Sequence, residues 1–318
     1  GINLLIPHAV WYNDDNVTFK PELSWRHPKY KDGLREYSQY MARLNVMLQN
    51  EGRHVADIAA LYPIATLQAG HHLDGPLGYY KGGVEIPEAD YVDIGELLSA
   101  EICRDFTFLH PDVLEEQCGV DDDTLLLDNS VNHESYKVII VPAHKTIRWS
   151  SLKKIKQFYD NGGQVIATGT LPSKSAEFGY DRQVIDTVRE MFGEDSTIQE
   201  NTNGGRAVFL EKPNASTMRE ILDDMVQVYD VSFNPGEELR YIHKVWRGQD
   251  IYFFSNLREK PVSSRVRIRG RLAPELWSPH TGEVSSAEYT HLKEDDVEIT
   301  QMVVELASLT SVFVVSSQ

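Results

Sequence analysis

A buried strand, an amphipathic helix and a second buried strand follow one another at the centre of the chain. Residues 136–142 form a continuous apolar run rich in β-branched side chains, and residues 164–169 form another. Between them apolar residues recur at helical spacing, with Ser150 or Ser151 as the expected N-cap and Gly162 as the stop. Runs that are apolar at every position are typical of strands covered on both faces. The pattern predicts a parallel sheet with helices on its faces.

Similar patterning extends over the first two-thirds of the chain. Helical spacing predicts helices over 33–51, 91–103, 111–118, 181–192 (with Asp181 as the cap) and 217–229, and apolar runs predict strands over 55–64, 105–109 and 207–210. The glycine-containing stretch 65–90 and the acidic stretch 121–134 are expected to be loops. Loops as long as the first of these are often functional.

The pattern changes after residue 230, where alternation replaces helical spacing. Residues 240–246 and 251–256 alternate on either side of a short turn, which predicts a hairpin. In residues 263–269, three arginines alternate with apolar side chains. Further strands are expected over 274–277, 297–306 and 311–315. The last third of the chain is therefore predicted to be an antiparallel β-sandwich.

Charge and composition exclude some classes of partner. The 318 residues carry a net charge of −17, which argues against nucleic acid because that partner is bound through phosphate neutralisation. We interpret the acidity as a source of solubility, and a neutral ligand such as a sugar stays open. No apolar run has the length of a membrane span, so no membrane partner is expected. Cys103 and Cys118 lack metal-ligand spacing and are expected to be buried free thiols.

The beginning of the chain carries the candidate binding residues. It opens on an apolar, strand-like run without a visible signal peptide, so we expect it to be a piece of a longer protein. Polar and aromatic side chains follow this run, namely His8, Trp11, Tyr12, Asn13, Asp14 and Asp15. At the end of a barrel strand such residues would lie on the face that carries active sites. An ordinary solvated loop is the alternative.

Motifs for cofactor or nucleophilic chemistry are missing from the predicted α/β region. The adjacent His71 and His72 have no accompanying metal-ligand spacing, and no phosphate-binding glycine loop occurs in the right position. At the place of a nucleophile elbow, after the strand at 164–169, the chain has Thr168 and Thr170 instead of serine or cysteine. We therefore predict no cofactor and no metal.

Glycoside hydrolysis needs two carboxylates placed across the scissile bond. The chain has many acids, and their sequence positions do not pair them. A complete catalytic barrel also needs about 200 residues or more, and residues 1–52 hold at most its last strand and helix. The catalytic carboxylates of such a barrel would lie mostly upstream of this chain.

Three segments resemble large bacterial glycoside hydrolases, namely PHAVWY at 7–12 with the stretch 44–68, the central unit from residue 136 to 172, and ELWSPHTGEV at 275–284. The nearest families are the Bacteroides-type α-L-rhamnosidases and the three-domain β-galactosidases. Those β-galactosidases have a middle domain of the class I glutamine-amidotransferase-like, flavodoxin-like fold. That domain lacks the amidotransferase nucleophile. It contributes to oligomer contacts and shapes the rim of the active site. The last segment has Ser278 where aspartate is more usual.

The resemblance implies a barrel end at 1–52, an amidotransferase-like α/β domain at 53–232 and a C-terminal β-sandwich at 233–318. It implies a glycan as the ligand of the parent enzyme, with His8, Trp11, Tyr12 and Asp14 as substrate-binding residues. The upstream barrel of the same protein would be a partner, a homo-oligomer stays open, and export to the periplasm or beyond is expected. No catalytic residue is carried over.

These observations leave three hypotheses. The first is a non-catalytic C-terminal portion of a glycoside hydrolase, which is structural and forms part of the substrate rim. The second is a carbohydrate-binding module in which Trp246, Tyr252 and Trp277 of the β-sandwich stack on a glycan, against core packing as the alternative role of these rings. The third is a small hydrolase or amidotransferase that uses the hydroxyl of Thr168 or Thr170.

Overall fold

The computed structural model describes residues 23–70, 89–193, 198–234 and 239–317. Its α-helices are α1 Leu34–Leu48, α2 Ile64–Gly70, α3 Tyr91–Glu96, α4 Pro111–Glu116, α5 Trp149–Asp160, α6 Asp181–Phe192 and α7 Ala215–Met225. A 3-10 turn, Lys31–Gly33, precedes α1, and a π-helical turn, Leu97–Glu101, continues α3. In the described part of the chain, no helix is long and apolar enough to cross a membrane.

The strands fall into an earlier and a later group. Those up to residue 210 are β1 Arg53–Val55, β2 Ile58–Leu61, β3 Thr107–Leu109, β4 Gly119–Asp121, β5 Thr124–Asp128, β6 His133–Tyr136, β7 Val138–Val141, β8 Thr146–Ile147, β9 Gln164–Thr168, β10 Lys174–Ser175, β11 Gln199–Glu200 and β12 Arg206–Leu210. The later ones are β13 Val231–Ser232, β14 Leu239–Trp246, β15 Gln249–Asn256, β16 Val262–Arg269, β17 Glu275–Trp277, β18 Val284–Ser286, β19 Tyr289–Glu294, β20 Val297–Leu306 and β21 Ser311–Ser317.

A six-stranded sheet in the order β11-β12-β9-β7-β2-β3 forms the centre of the α/β unit. All neighbouring pairs are parallel except β11–β12. Alternate residues of β7 enter opposite cores: Ile139 and Val141 pack with α4, α5 and α6, whereas Val138 and Ile140 pack with α3 and α7. Helices cover both faces, which explains why every position of β7 is apolar. The predicted parallel α/β sheet is confirmed.

Two antiparallel sheets pack face to face in the last third of the chain. One has the order β1-β14-β15-β21-β17-β18 and the other β13-β16-β20-β19. Tyr252 and Phe254 from the first sheet share a buried core with Val266 and Ile268 from the second. The alternation seen in the sequence thus places one residue of every two between the sheets. The predicted β-sandwich and its hairpin β14–β15 are confirmed.

Helix α1 packs on the outer face of the six-stranded antiparallel sheet. Met47 is buried there with Ile251 and Phe313. The turn of the ELWSPHTGEV segment docks against the same helix, because Arg43 donates hydrogen bonds of 3.0 and 2.9 Å to the carbonyl oxygens of Pro279 and His280. This segment therefore fastens the sandwich to α1.

Several local predictions need correction. Residues 119–136, expected to be a loop over 121–134, form the three-stranded antiparallel sheet β4-β5-β6. Neither Ser150 nor Ser151 caps α5, whose N-cap position is Arg148. Asp181 is the first residue of α6 and not its cap, which is Tyr180.

Further predictions concern the loop at 65–90, the two cysteines, the strand at 55–64 and the domain boundaries. Part of the expected loop 65–90 is helical, since α2 extends to Gly70. Both cysteines are buried thiols outside any disulfide of the described residues, as expected. The strand predicted over 55–64 is divided, because β1 pairs with β14 of the sandwich while β2 enters the parallel sheet. The domain boundaries stay predictions.

Candidate functional site

The predicted substrate-binding residues His8, Trp11, Tyr12 and Asp14 lie outside the described residues, as do His71 and His72. Their assignments stay predictions. Within the described ranges, no group of three or more His, Cys, Asp or Glu side chains is placed to hold a metal ion. Polar and charged side chains come together at two other places. One is the carboxyl end of the parallel sheet, and the other lies between the α/β unit and the sheets of the sandwich.

Asp90 lies at the carboxyl end of the parallel sheet and is hydrogen-bonded to two neighbouring segments there. Its carboxylate accepts a 2.6 Å hydrogen bond from the backbone N–H of Ala143, after β7, and a 2.8 Å bond from the hydroxyl of Thr168, in β9. Gly169 follows with φ of +63°, and a Cβ there would lie 2.8 Å from that of Ala143. The place where a nucleophile elbow would stand thus holds a fully buried Thr168 bound to a carboxylate.

His144 lies next to this carboxyl end. It is buried, and its Nδ1 is hydrogen-bonded to the carbonyl oxygen of Pro142. Burial lowers the pKa of His144 to about 4, against the raising effect of that carbonyl. The imidazole is therefore neutral at pH 7. Thr168 donates its hydroxyl proton to Asp90 and not to this ring.

A buried charged network joins the α/β unit to both sheets of the sandwich. We call it the seam and define it by its five residues, Asp57, Asp230, His243, Asp250 and Arg269. Arg269 Nη1 donates to Asp57 Oδ1 at 2.9 Å, and the backbone N–H of Asp230 donates to Asp57 Oδ2 at 2.6 Å. Asp57 is 5% exposed, so its charge is balanced from within the protein and not by water.

His243 carries the seam into the six-stranded antiparallel sheet. Its Nδ1 lies 2.9 Å from Asp230 Oδ2 and its Nε2 lies 3.1 Å from Asp250 Oδ1, while its ring stacks on Tyr252 with centroids 4.0 Å apart. Burial opposes the charged form, but the two carboxylates outweigh it and raise the pKa of His243 to about 9. At pH 7 this histidine is an imidazolium that holds two acids together.

Burial raises the pKa of Asp57, and the Arg269 guanidinium counters part of that effect. For Asp230 burial acts in the same direction, yet the charge and hydrogen bond of His243 lower its pKa overall. A cavity of about 400 Å³ borders the seam, lined in part by His243, Asp250 and Arg269. Nothing in the sequence spacing had singled these residues out, since the seam draws them from β2, β13, β14, β15 and β16 or their ends.

A second histidine, which is partly buried, lies between acids at the edge of the α/β unit. His54 Nε2 is 2.9 Å from Asp105 Oδ2, and its Nδ1 is 2.7 Å from Glu134 Oε1. Burial opposes protonation, but these two acids raise the pKa of His54 to about 10. Glu134 also accepts hydrogen bonds from Thr107 and Tyr136. Because His54 and His243 are protonated at pH 7, neither has a lone pair for general-base catalysis.

The aromatic residues considered for glycan stacking have packing partners. Tyr252 is 1% exposed and stacks on His243. Trp246 and Trp277 pack against the cluster that joins α1 to the sheet, and the indole of Trp277 donates to Glu275 at 3.0 Å. This geometry favours core packing as the role of all three rings.

Comparison with known proteins points to one enzyme family. The family model described as α-L-rhamnosidase, glycoside hydrolase 106, matches residues 18–291. A search of curated proteins found no match.

The fold recurs in solved structures of glycosidases. A rhamnosidase from Novosphingobium sp. PP1Y has a TM-score of 0.63 and 21% identity over 93% of this chain and 25% of that one. A β-galactosidase from Bacillus circulans sp. alkalophilus has a TM-score of 0.54 and 10% identity over 92% and 45%. An α-L-fucosidase isoenzyme 2 from Paenibacillus thiaminolyticus has a TM-score of 0.50 and 12% identity over 92% and 52%. At these identities the likeness is one of fold, and the chain spans a quarter to about half of each relative.

Proposed function

This chain belongs to the α-L-rhamnosidase family glycoside hydrolase 106, and we propose that it is a non-catalytic, C-terminal portion of such an enzyme. It serves as a rigid scaffold beside the substrate-binding face of a catalytic barrel. The hydrolysis of α-L-rhamnosides belongs, in this proposal, to the whole enzyme. The upstream barrel is the intended partner of the scaffold, and the glycan is the ligand of the assembled protein.

The observation that carries the proposal is that the hydroxyl and the imidazoles that a threonine-dependent hydrolase would use are all engaged in structural contacts. Thr168 is fully buried with its hydroxyl donated to Asp90. His54 and His243 have pKa values of about 10 and about 9, so neither accepts a proton at pH 7. These groups stabilise structure, and their geometry gives no free nucleophile beside a free base.

We further propose the flavodoxin-like, amidotransferase-like classification for the α/β unit. Numbered along the chain, its five parallel strands β2, β3, β7, β9 and β12 lie in the order 2-1-3-4-5. That order is the flavodoxin-like one, with a topological switch point between the first and third strands. Asp90 reaches the strand end next to this switch point through its bond to Ala143, so the crevice is partly filled by the protein's own carboxylate.

The substrate rim is assigned to the polar and aromatic residues near the start of the chain. His8, Trp11, Tyr12 and Asp14 offer aromatic faces for sugar rings and polar groups for hydroxyls. Export of the parent enzyme to the periplasm or the cell exterior and a homo-oligomeric state are further proposals that come from the family resemblance.

A turnover assay tests the non-catalytic role. The purified chain is incubated with aryl α-L-rhamnoside and aryl β-D-galactoside, beside the Thr168→Ala and Thr170→Ala variants. We expect no hydrolysis above the rate without protein in any sample. Hydrolysis that survives repurification and is lost in a threonine variant would overturn the proposal in favour of a threonine-dependent hydrolase. Hydrolysis that both variants retain would place a carboxylate pair within this chain.

A further inference from the structure

A cationic pocket of about 300 Å³ lies between α7, the segment that follows it and the outer face of β16. We define this cationic pocket by five arginines that line it, Arg104, Arg219, Arg265, Arg267 and Arg269. Two carboxylates, Asp223 and Glu294, also line it. Arg269 is already paired with Asp57, so four arginines face these two carboxylates, in a chain whose net charge is −17. Such a local reversal of sign is a feature that binding of an anion explains.

Arg104 has an incomplete set of hydrogen bonds. Its side chain is 4% exposed, with Nη2 donating to Asp223 at 3.2 Å and the guanidinium lying over the ring of Tyr229, 4.1 Å from the centroid. Its buried Nε and Nη1 have no hydrogen-bond partner among the described residues. Buried guanidinium donors are rarely left unpaired, because the desolvation of the charge is then uncompensated. The hydroxyl of Tyr229, whose ring Arg104 packs on, is likewise buried without a partner among the described residues. An acceptor that enters the pocket would complete the hydrogen bonds of this cluster.

The other arginines are paired unevenly. Arg267 binds Glu294 through Nη2, yet its buried Nε has no partner among the described residues. Arg265 projects from the same face of β16, is exposed, and makes no ion pair with any described acid. Arg219 shares Asp223 with Arg104, and burial together with the neighbouring Arg104 charge lowers its pKa. The acids of the pocket are thus already engaged while donors remain.

We propose that the cationic pocket binds a single oxyanion group, carried either by a free inorganic anion or by a sugar acid. Guanidinium groups match the oxygen atoms of sulfate, phosphate and carboxylate with charge-assisted hydrogen bonds. The bound group takes the unpaired donors of Arg104 and Arg267 and gives Arg265 its counter-charge. The site follows from the described side chains, so it stands independently of the scaffold role proposed above.

Isothermal titration of the full chain with sodium sulfate and with sodium glucuronate tests this site, with sodium chloride at matched ionic strength as the blank. We expect saturable binding of at least one of the two oxyanions and none of chloride. Binding of sulfate alone assigns the site to a free tetrahedral anion, and binding of glucuronate assigns it to a sugar acid. Heat no different from the chloride blank with both probes would overturn the proposal.

Two variants and a matched control locate the binding. Arg265→Gln removes an exposed, unpaired arginine, so its fold should be intact and its affinity should fall about tenfold, as for loss of one charge-assisted hydrogen bond. Arg104→Gln should abolish binding, with circular dichroism reporting whether it folds. Arg182→Gln alters an arginine whose side chain is 91% exposed. It lies on α6, which covers the face of the parallel sheet opposite to α7. Equal affinity in Arg265→Gln and in the Arg182→Gln control would overturn the site.

Discussion

Asp57 and Arg269 are joined by a 2.9 Å ion pair although 212 positions separate them in the sequence. Asp57 precedes the first strand of the parallel sheet, and Arg269 ends a strand of the sandwich. The pair is enclosed further by Asp230, whose backbone N–H binds the other oxygen of Asp57. Two units that the chain builds from distant segments are therefore connected by buried charge, and each partner is costly to leave alone.

Removal of one member of this pair should be strongly destabilising. Arg269→Met leaves Asp57 buried without its cation, and we expect the free energy of unfolding to fall by about 3–5 kcal/mol. The double variant Asp57→Asn with Arg269→Met should recover part of that loss, because no buried charge is then uncompensated. Chemical denaturation of the single and double variants measures both values.

A surface ion pair provides the control for this experiment. Arg182 and Asp186 lie one helical turn apart with Nε and Oδ2 at 3.6 Å, and both side chains are largely exposed. Arg182→Met should leave the denaturation midpoint unchanged, because exposed pairs contribute little. A seam variant that behaves like this surface variant would contradict the assigned role of the buried pair.

Stability should fall on the alkaline side through His243. Its folded pKa of about 9 lies above the ordinary value of 6.5, so the folded state holds a proton that the unfolded state releases between these values. The contribution is therefore complete below pH 6.5 and lost as the pH rises through about 9. The shift corresponds to about 3 kcal/mol.

Denaturation curves of the parent chain and of His243→Gln between pH 6 and pH 10 isolate the stability that protonation of His243 contributes. His54 titrates in an overlapping window in both proteins, so it cancels in the difference between them. The difference in unfolding free energy should shrink towards high pH. A difference that stays constant across this range would show that His243 is not protonated in the folded state.

Glu177 should stabilise the N-terminus of α5. Its carboxylate accepts hydrogen bonds from the backbone N–H groups of Trp149 and Ser150, at 2.5 and 3.2 Å, and from the Ser150 hydroxyl at 2.9 Å. We expect Glu177→Ala to cost about 1 kcal/mol, the typical value for loss of a cap.

The acid limb of denaturation gives a second readout for Glu177. Burial opposes ionisation, but the bonds from Trp149 and Ser150 lower the pKa of Glu177 below its ordinary 4.5. Its contribution is therefore present above pH 4.5 and lost as the pH falls through the folded pKa. Glu177→Gln keeps an oxygen acceptor and should lose less stability than Glu177→Ala. Equal stability of all three proteins at pH 7 would contradict the cap.

Gly282 should be hard to replace because two constraints meet there. Its φ is +82°, and an added Cβ would lie 2.9 Å from Nε of Arg43. Gly248 has a similar φ of +74° with open space around it, so it reports backbone strain alone. We expect Gly248→Ala to cost about 1–2 kcal/mol and Gly282→Ala to cost more. Thermal unfolding of both variants tests this order, and equal losses would show that Arg43 yields without cost.

The patterned parts of the fold were predictable from the sequence. Strand β7 is apolar at every position because both of its faces are covered, and β16 alternates because only one face is buried. The sheet β4-β5-β6 was missed because acidic residues interrupt a short pattern in which Leu125 and Leu127 are buried. Local composition there outweighed an alternation of only a few residues.

Long-range contacts were not predictable. The N-terminus of α5 is capped by Glu177, 28 positions further along the chain, and not by a local serine. Strand β1 pairs with β14 of the sandwich, although β2 is its neighbour in sequence. The seam also depends on long-range contacts. In the sequence His243 is an ordinary polar residue of an alternating strand, and only the fold places Asp230 and Asp250 beside it. Such sites depend on three-dimensional proximity, which spacing along the chain does not encode.

Differential scanning calorimetry of the unmodified chain at pH 7 tests most directly whether the seam makes one scaffold of the α/β unit and the sandwich. We predict a single transition with equal calorimetric and van't Hoff enthalpies, and a single transition at a lower temperature for Arg269→Met. Two independent transitions in the unmodified chain, unaltered in position by Arg269→Met, would contradict the scaffold.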